Sequence, residues 1–320
     1  MRKLGTALSS VALACAALLA STQVHAQAQG DGPRAYQMLP EGVHALTVYG
    51  ISQDGNETID PATIIEGSDI SIDIGIVQYV HPISVRGQAS GLFIALPFGQ
   101  VEGSLTARPP FNGISGDASG VGDVVLGAVI GLKGSPSLSL QEYAKFKPGF
   151  SIGALTKLTL PTGSYTQDKA LNLGTNRWNL QLGAPMGWVI GESYLDPKLT
   201  SFELLPSVTF YGDNDEPFRA NNMSQKPIYR LEGHITRNLN KAVWISADAL
   251  VSYGGETETD GVDNNNAGGV DDAGEDDLQE NVQVKEVSAP DANGRRTITL
   301  AAPLQFNWGA LHSQDMCERR

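Results

Sequence analysis

The chain of 320 residues has two cysteines, Cys15 and Cys317. Cys15 lies inside an N-terminal apolar run, so only Cys317 remains once that run is removed, and no internal disulfide is expected. Positive charge is also scarce: 22 Lys and Arg stand against 35 Asp and Glu, a net charge of −13. That balance argues against nucleic acid as a partner. Beyond the N-terminus no segment approaches the roughly 20 apolar residues that a membrane-spanning helix needs. Catalytic signatures are missing too. The chain has no G-x-x-x-x-G-K-[ST] loop and no G-x-S-x-G elbow, and His44, His81, His234 and His312 have no paired zinc spacing. The sequence therefore leads us to expect no catalytic residue, no metal site and no cofactor.

What is present begins with a leader. Arg2 and Lys3 precede the apolar core Ala7–Ala20, and Val24-His25-Ala26 forms a small-residue cleavage site. Residues 1–26 read as a secretory signal peptide and 27–320 as one β domain. Export leaves the periplasm, the outer membrane or the medium.

The domain is patterned with period 2. Phe150–Leu160 places Phe150, Ile152, Ala154, Leu158 and Leu160 opposite Ser151, Gly153, Lys157 and Thr159. Arg177–Ile190 is cleaner, with Trp178, Leu180, Leu182, Ala184, Met186, Trp188 and Ile190 on one unbroken face. Similar runs occupy Val43–Ile51, Ile70–Val80, Ile83–Leu96, Val121–Lys133, Phe202–Gly212, Ile228–Arg237, Ala242–Tyr253 and Arg296–Trp308. His81-Pro82 reads as a tight connection, and a phase shift near Gly91 as a β-bulge. Ser139–Lys145 reads as a short helical turn. Asp31–Gly42 is a polar lead-in, Gly99–Gly120 a loop, and 254–295 a long acidic loop. Within it Glu256–Glu280 carries ten carboxylates and no Lys or Arg. It lacks an EF-hand frame and reads as solvated.

Such alternation suits two architectures. A soluble barrel or sandwich turns its apolar face inward, whereas a membrane barrel turns it to lipid and keeps the polar face in a lumen. Long strands, glycines on the polar face, and Trp178 and Trp188 bracketing one strand favour the second. The expected fold is all-β: an antiparallel transmembrane β-barrel of about 10–12 strands.

Three segments resemble a known family. Gly120-Val121-Gly122-Asp123-Val124-Val125-Leu126-Gly127 is similar to a G-x-G-D segment of the MetA-pathway of phenol degradation family. Lys157–Tyr165 resembles its K-x-x-x-P-T-G-x-Y segment, and Asn172–Trp178 its L-G-T-x-R-W. Looser similarity runs from Ala89 to Tyr253. The resemblance implies an outer-membrane β-barrel that lets small, aromatic or hydrophobic molecules pass passively. Outer-membrane lipid, a small solute and the barrel assembly machinery are the partners it implies. It carries no catalytic residues. The end departs from the family: Leu311–Arg320 is polar and does not alternate, so a closing C-terminal strand is expected to be missing. The alternative function is a secreted or periplasmic β-rich binding or structural protein.

Under the barrel reading, the polar face supplies the lumen-lining candidates Asp73, Asp123, Lys157, Arg177, Glu203, Arg230, Glu232, His234 and Asp248, with Arg86 and Arg237 beside them. These would tune selectivity by charge, or pair with one another in a packed interior. Arg230, Glu232 and His234 resemble an acid–base set, but at alternate strand positions they form a polar stripe.

Overall fold

The computed structural model describes residues 30–55, 68–105, 114–240, 243–255, 257–260 and 299–301. The expected leader, the polar tail and nearly all of the acidic loop therefore lie outside the described residues. The strands are β1 (Ala45–Gly55), β2 (Ser68–Val85), β3 (Gln88–Leu105), β4 (Ile114–Val121), β5 (Val124–Lys133), β6 (Phe150–Leu160), β7 (Asn179–Gly183), β8 (Met186–Ile190), β9 (Thr200–Tyr211), β10 (Asn222–Gln225), β11 (Ile228–Asn238), β12 (Trp244–Gly254), β13 (Thr257–Asp260) and β14 (Thr299–Ala301). One short helix, α1 (Leu140–Tyr143), sits where a helical turn was expected. Ser139 and Glu142 close a capping box at its start.

The architecture is the expected all-β antiparallel barrel sheet. Its lanes run β1-β2-β3-β5-β6-β7-β9-β11-β12-β14. β4 continues the β5 lane beside β3, and β8 continues the β7 lane between β6 and β9. β10 and β13 form a separate pair. Among the described residues β1 and β14 are the two edges.

Burial is inside out. Leu46 and Val48 are 70% and 68% exposed, and Leu92, Ile94, Phe202, Leu231 and Ile235 are exposed as well, while Glu232 is 1% exposed and Thr236 fully buried. A soluble sandwich would reverse this. An outward apolar band around buried charge is the pattern that lipid requires.

Four expectations change in detail. β2 runs through Pro82, and the chain reverses at Arg86-Gly87, whose φ values of 52° and 74° make the primed turn that a two-residue hairpin favours. Pairing passes Gly91 without a bulge; the irregularity lies instead at Gly131/Lys133 on β5. The segment expected as a loop after Gly99 is largely strand: β3 continues to Leu105 and β4 begins at Ile114. The run Arg177–Ile190 is split at Ala184-Pro185. Pro185 has no N–H, and the break is bridged by Ala184 N–H to the Pro206 carbonyl at 3.0 Å and Gly153 N–H to the Pro185 carbonyl at 2.9 Å.

The two ends of the sheet differ. The turn at Arg86-Gly87, α1, residues 191–199 and the β11–β12 turn share the end where β1 begins. There Met38, Tyr143 and Tyr194 form a buried cluster, and Tyr143 donates to the Met38 carbonyl at 3.0 Å. At the other end β2, β3 and β4 project beyond the band. Ile70, Ile72 and Ile74 turn inward there and pack with Val101, Ala118 and Leu173.

A candidate lumen site filled by the N-terminal segment

The polar lead-in is not a surface strand. Residues 30–40 run inside the curve of the sheet. Asp31 pairs with Lys157 of β6, and its N–H donates to Glu232 of β11 at 2.9 Å. The Arg34 N–H donates to Glu203 of β9 at 2.7 Å. Its guanidinium donates to Thr236 Oγ1 at 3.0 Å and Asn238 Oδ1 at 2.8 Å, and lies 4.6 Å over the Trp244 ring of β12. The same segment shares a cavity with Tyr49, Ile76 and Phe93 of β1, β2 and β3. One short segment can reach lanes so far apart in sheet order only if the sheet wraps around it.

Local geometry makes the insertion possible. Gly30 approaches Glu232 so closely that a Cβ would fall 2.3 Å from Oε2. Gly32 and Arg34 adopt φ of 82° and 63°. Positive φ at Arg34 costs free energy that its surroundings must return, and its two guanidinium bonds and ring contact do so.

The interior has two unlike walls. On β6, β9, β11 and β12 the inward positions carry charge, with Lys157, Glu203, Arg230, Glu232, His234 and Asp248 on neighbouring rows. His234 Nδ1 lies 2.8 Å from Asp248 Oδ1, and its Nε2 lies 3.6 Å from Glu232 Oε2. Ser201 donates to Glu203 at 2.6 Å and shares a bond of 2.7 Å with Thr236. On β1, β2, β3 and β5 the inward positions are mostly apolar. The alternation pattern treated every inward face as polar and missed this wall. It also missed Asp31, Arg34 and Tyr36, whose segment has no strand periodicity. The one available signal was their alternating charge in a glycine-rich stretch, Asp31-Gly32-Pro33-Arg34.

Electrostatics tie the segment in place. Burial pushes the Asp31 carboxyl up, but the Lys157 ammonium, the Tyr36 phenol and the field of Arg230 outweigh it and hold the group below its ordinary value. Burial, with Asp31 and Glu232 nearby, raises the Tyr36 phenol well above its usual range, so it stays a neutral donor to Asp31. Burial lowers the Arg34 guanidinium from its ordinary value against the opposing pull of Glu203.

Six of the expected residues thus converge around the segment; the others do not. Asp73 lies exposed on the outward side of the projecting hairpin, 3.5 Å from Gln100 Nε2. β2 keeps one inward face along its length, with Ile70, Ile72, Ile74 and Ile76 inside, so Asp73 falls on the outward side, while the inward isoleucines meet the loop after β6. Arg86 sits in the hairpin turn, and Arg237 points outward and donates to Thr200 Oγ1 at 2.6 Å.

Asp123 is committed to architecture. It accepts from Gly163 N–H at 2.8 Å, Thr175 N–H at 2.8 Å and Thr175 Oγ1 at 2.7 Å. This clamps the loop after β6 onto the β4–β5 corner. Gly163 and Gly174 touch across it, since a Cβ on Gly163 would fall 2.7 Å from Gly174 Cα. Arg177 is buried at the same end, bonded to Gln225 and 4.8 Å over Tyr211. The G-x-G-D, P-T-G and L-G-T-x-R-W segments are thus one interlocked corner.

The comparisons fit this geometry. A family profile described as "Putative MetA-pathway of phenol degradation" matches residues 52–284. The chain is similar to a solved outer membrane channel from Pseudomonas putida F1, with 26% identity and a TM-score of 0.57 over 72% of this chain and 79% of that one. Among curated proteins none matches.

Proposed function

The chain belongs to the MetA-pathway of phenol degradation family, and we propose that it is an outer-membrane channel for the passive passage of small molecules, closed at rest by its own N-terminal segment. The observation that carries this reading is the inside-out burial combined with residues 30–40 bonded across the interior. The lumen charges are the six residues around that segment: Lys157, Glu203, Arg230, Glu232, His234 and Asp248. With the segment withdrawn, they and the facing apolar wall would line a path that suits amphipathic, aromatic or hydrophobic solutes. No cofactor enters the mechanism. Diffusion needs only an open lumen, and His234, held between Asp248 and Glu232, serves as a wall strut. The leader delivers the chain to the envelope, and the barrel assembly machinery and outer-membrane lipid complete its partners.

The test is reconstitution. The protein extracted from washed outer membranes is expected to show a compact, faster-migrating unheated band and to swell liposomes slowly in small solutes. Deleting residues 30–40 is expected to leave the band and accelerate swelling. A folded deletion variant that passes no solute faster than protein-free liposomes would overturn the reading.

A further inference from the structure

The segment engages the charged wall closely and the apolar wall loosely. Between it and β2, β3 and β5 lies a cavity of about 300 Å3, at the low end of volumes that hold small organic ligands. Ile76, Val80, Phe93, Val125 and Val129 supply its apolar lining, and Asp31 and Lys157 stand at its polar side. Phe93 lies across the neighbouring strand because Gly127 faces it; a Cβ there would fall 2.0 Å from the ring's Cζ. The result is an apolar slot with a ring on one wall and an ammonium at its end.

What that ammonium holds points to the ligand. Lys157 pairs with the Asp31 carboxylate, and the Tyr36 phenol donates to the other oxygen of the same carboxylate. The chain therefore presents an acid and an aromatic ring to this spot. The Lys157 and Asp31 side chains are 15% and 20% exposed, so little water competes for the pair. The field of Arg230 on β11 also acts on the Asp31 carboxylate. Glu203, Glu232 and Asp248 make the rest of that wall anionic, which disfavours a second negative charge on the solute.

We propose that the lumen contains a binding site for small aromatic monocarboxylates, with the ring against Phe93 and the carboxylate in place of Asp31 on Lys157. The N-terminal segment is then an internal competitor, and occupancy of the site favours its release. This inference deepens the channel reading and rests on it.

Benzoate is the probe, titrated calorimetrically into the full chain in detergent, with benzyl alcohol and phthalate as the neutral and dianionic comparisons. Benzoate is expected to bind at least about ten-fold more tightly than either, the scale of one charge-assisted contact. Lys157→Met is expected to erase the preference over benzyl alcohol. Asp31→Asn removes the competitor's charge and is expected to tighten benzoate binding about ten-fold. Unchanged benzoate affinity in Asp31→Asn, or a preserved preference in Lys157→Met, would overturn the site. If Lys157→Met loses the compact unheated band, Asp31→Asn decides alone. Swelling separates the two readings. Passage of neutral solutes through Asp31→Asn without a benzoate preference leaves the channel and sinks the site. Benzoate binding that follows the variants, with no passage of any solute, sinks the channel.

Discussion

Arg34 is the point at which the closed state can be weakened most cleanly. Its side chain donates to Thr236 Oγ1 at 3.0 Å and to Asn238 Oδ1 at 2.8 Å, and it covers the Trp244 ring at 4.6 Å. Arg34→Ala removes all three contacts and keeps the backbone N–H that donates to Glu203. Hydrogen bonds to a charged group contribute about 1.5–3 kcal/mol each, and a partly desolvated cation–π contact about 1 kcal/mol. Water re-solvates Thr236 and Asn238 once the segment leaves, so the sum is discounted to about 2 kcal/mol, an increase of roughly 30-fold in the open-to-closed ratio. The substitution lies in the segment and outside every strand, so folding of the sheet should be unaffected. The assay is conductance across a planar bilayer, with the heat-modifiable band confirming folding. Open probability is expected to rise steeply in Arg34→Ala and to stay near wild type in Arg34→Lys only if charge alone matters; loss of the bidentate reach predicts an intermediate value. A folded Arg34→Ala protein with unchanged open probability would refute the segment as the gate.

Three further outcomes follow from other parts of the structure. Asp31 is held below its ordinary value of 3.8 when docked, so its contribution to docking is complete above that pH and is lost as pH falls through the depressed value. Closure should therefore persist down to about pH 4 and fail only below it, and opening already at pH 6 in a conductance–pH series would contradict the assignment. Asp123→Ala strips the loop after β6 of three bonds, at a cost of about 3 kcal/mol or more; limited proteolysis should cut between residues 161 and 176, and an uncut loop would show that the corner is held otherwise. Leu231→Arg puts a charge on the outward band, with a cost of about 2–4 kcal/mol near the bilayer midplane; equal denaturant midpoints in liposomes for variant and parent would mean that this face does not meet lipid.

How far the sequence reaches depends on which force writes each feature. Period-2 alternation is imposed along every lane that borders lipid, and β6, at Phe150–Leu160, matches its expected bounds residue for residue. Rules of backbone chemistry were readable but were applied in the wrong place. His81-Pro82 predicts a tight connection, yet β2 runs through it because Pro at a strand position costs only one ladder bond, while Pro185 breaks its strand and the chain on both sides re-bonds around it. Asp73 falls outward because alternation fixes which residues share a face and says nothing of which face is inside, and on β2 the inward face is the apolar one. The N-terminal segment was illegible for a deeper reason. It has no periodicity, and its meaning lies in partners up to 204 residues away, such as Asn238 for Arg34. Only the fold brings those together.

The charge order of that segment and of the wall it meets belong to one problem. A barrel interior with Glu203, Glu232 and Asp248 on adjoining lanes would bury like charges side by side, at a cost that His234 offsets for two of them. The segment answers with opposite signs three residues apart, Asp31 toward Lys157 and Arg34 beside the acidic rows, and the positive φ at Gly32 and Arg34 turns the chain so that both ends meet their partners. Opening does not abolish these requirements; it transfers them to whatever enters. Water can meet them on the charged wall but gains nothing from the apolar one, where Phe93 and Val129 remain. A solute with one charged end and one apolar body satisfies both walls together, so the same arrangement that holds the gate shut selects what replaces it.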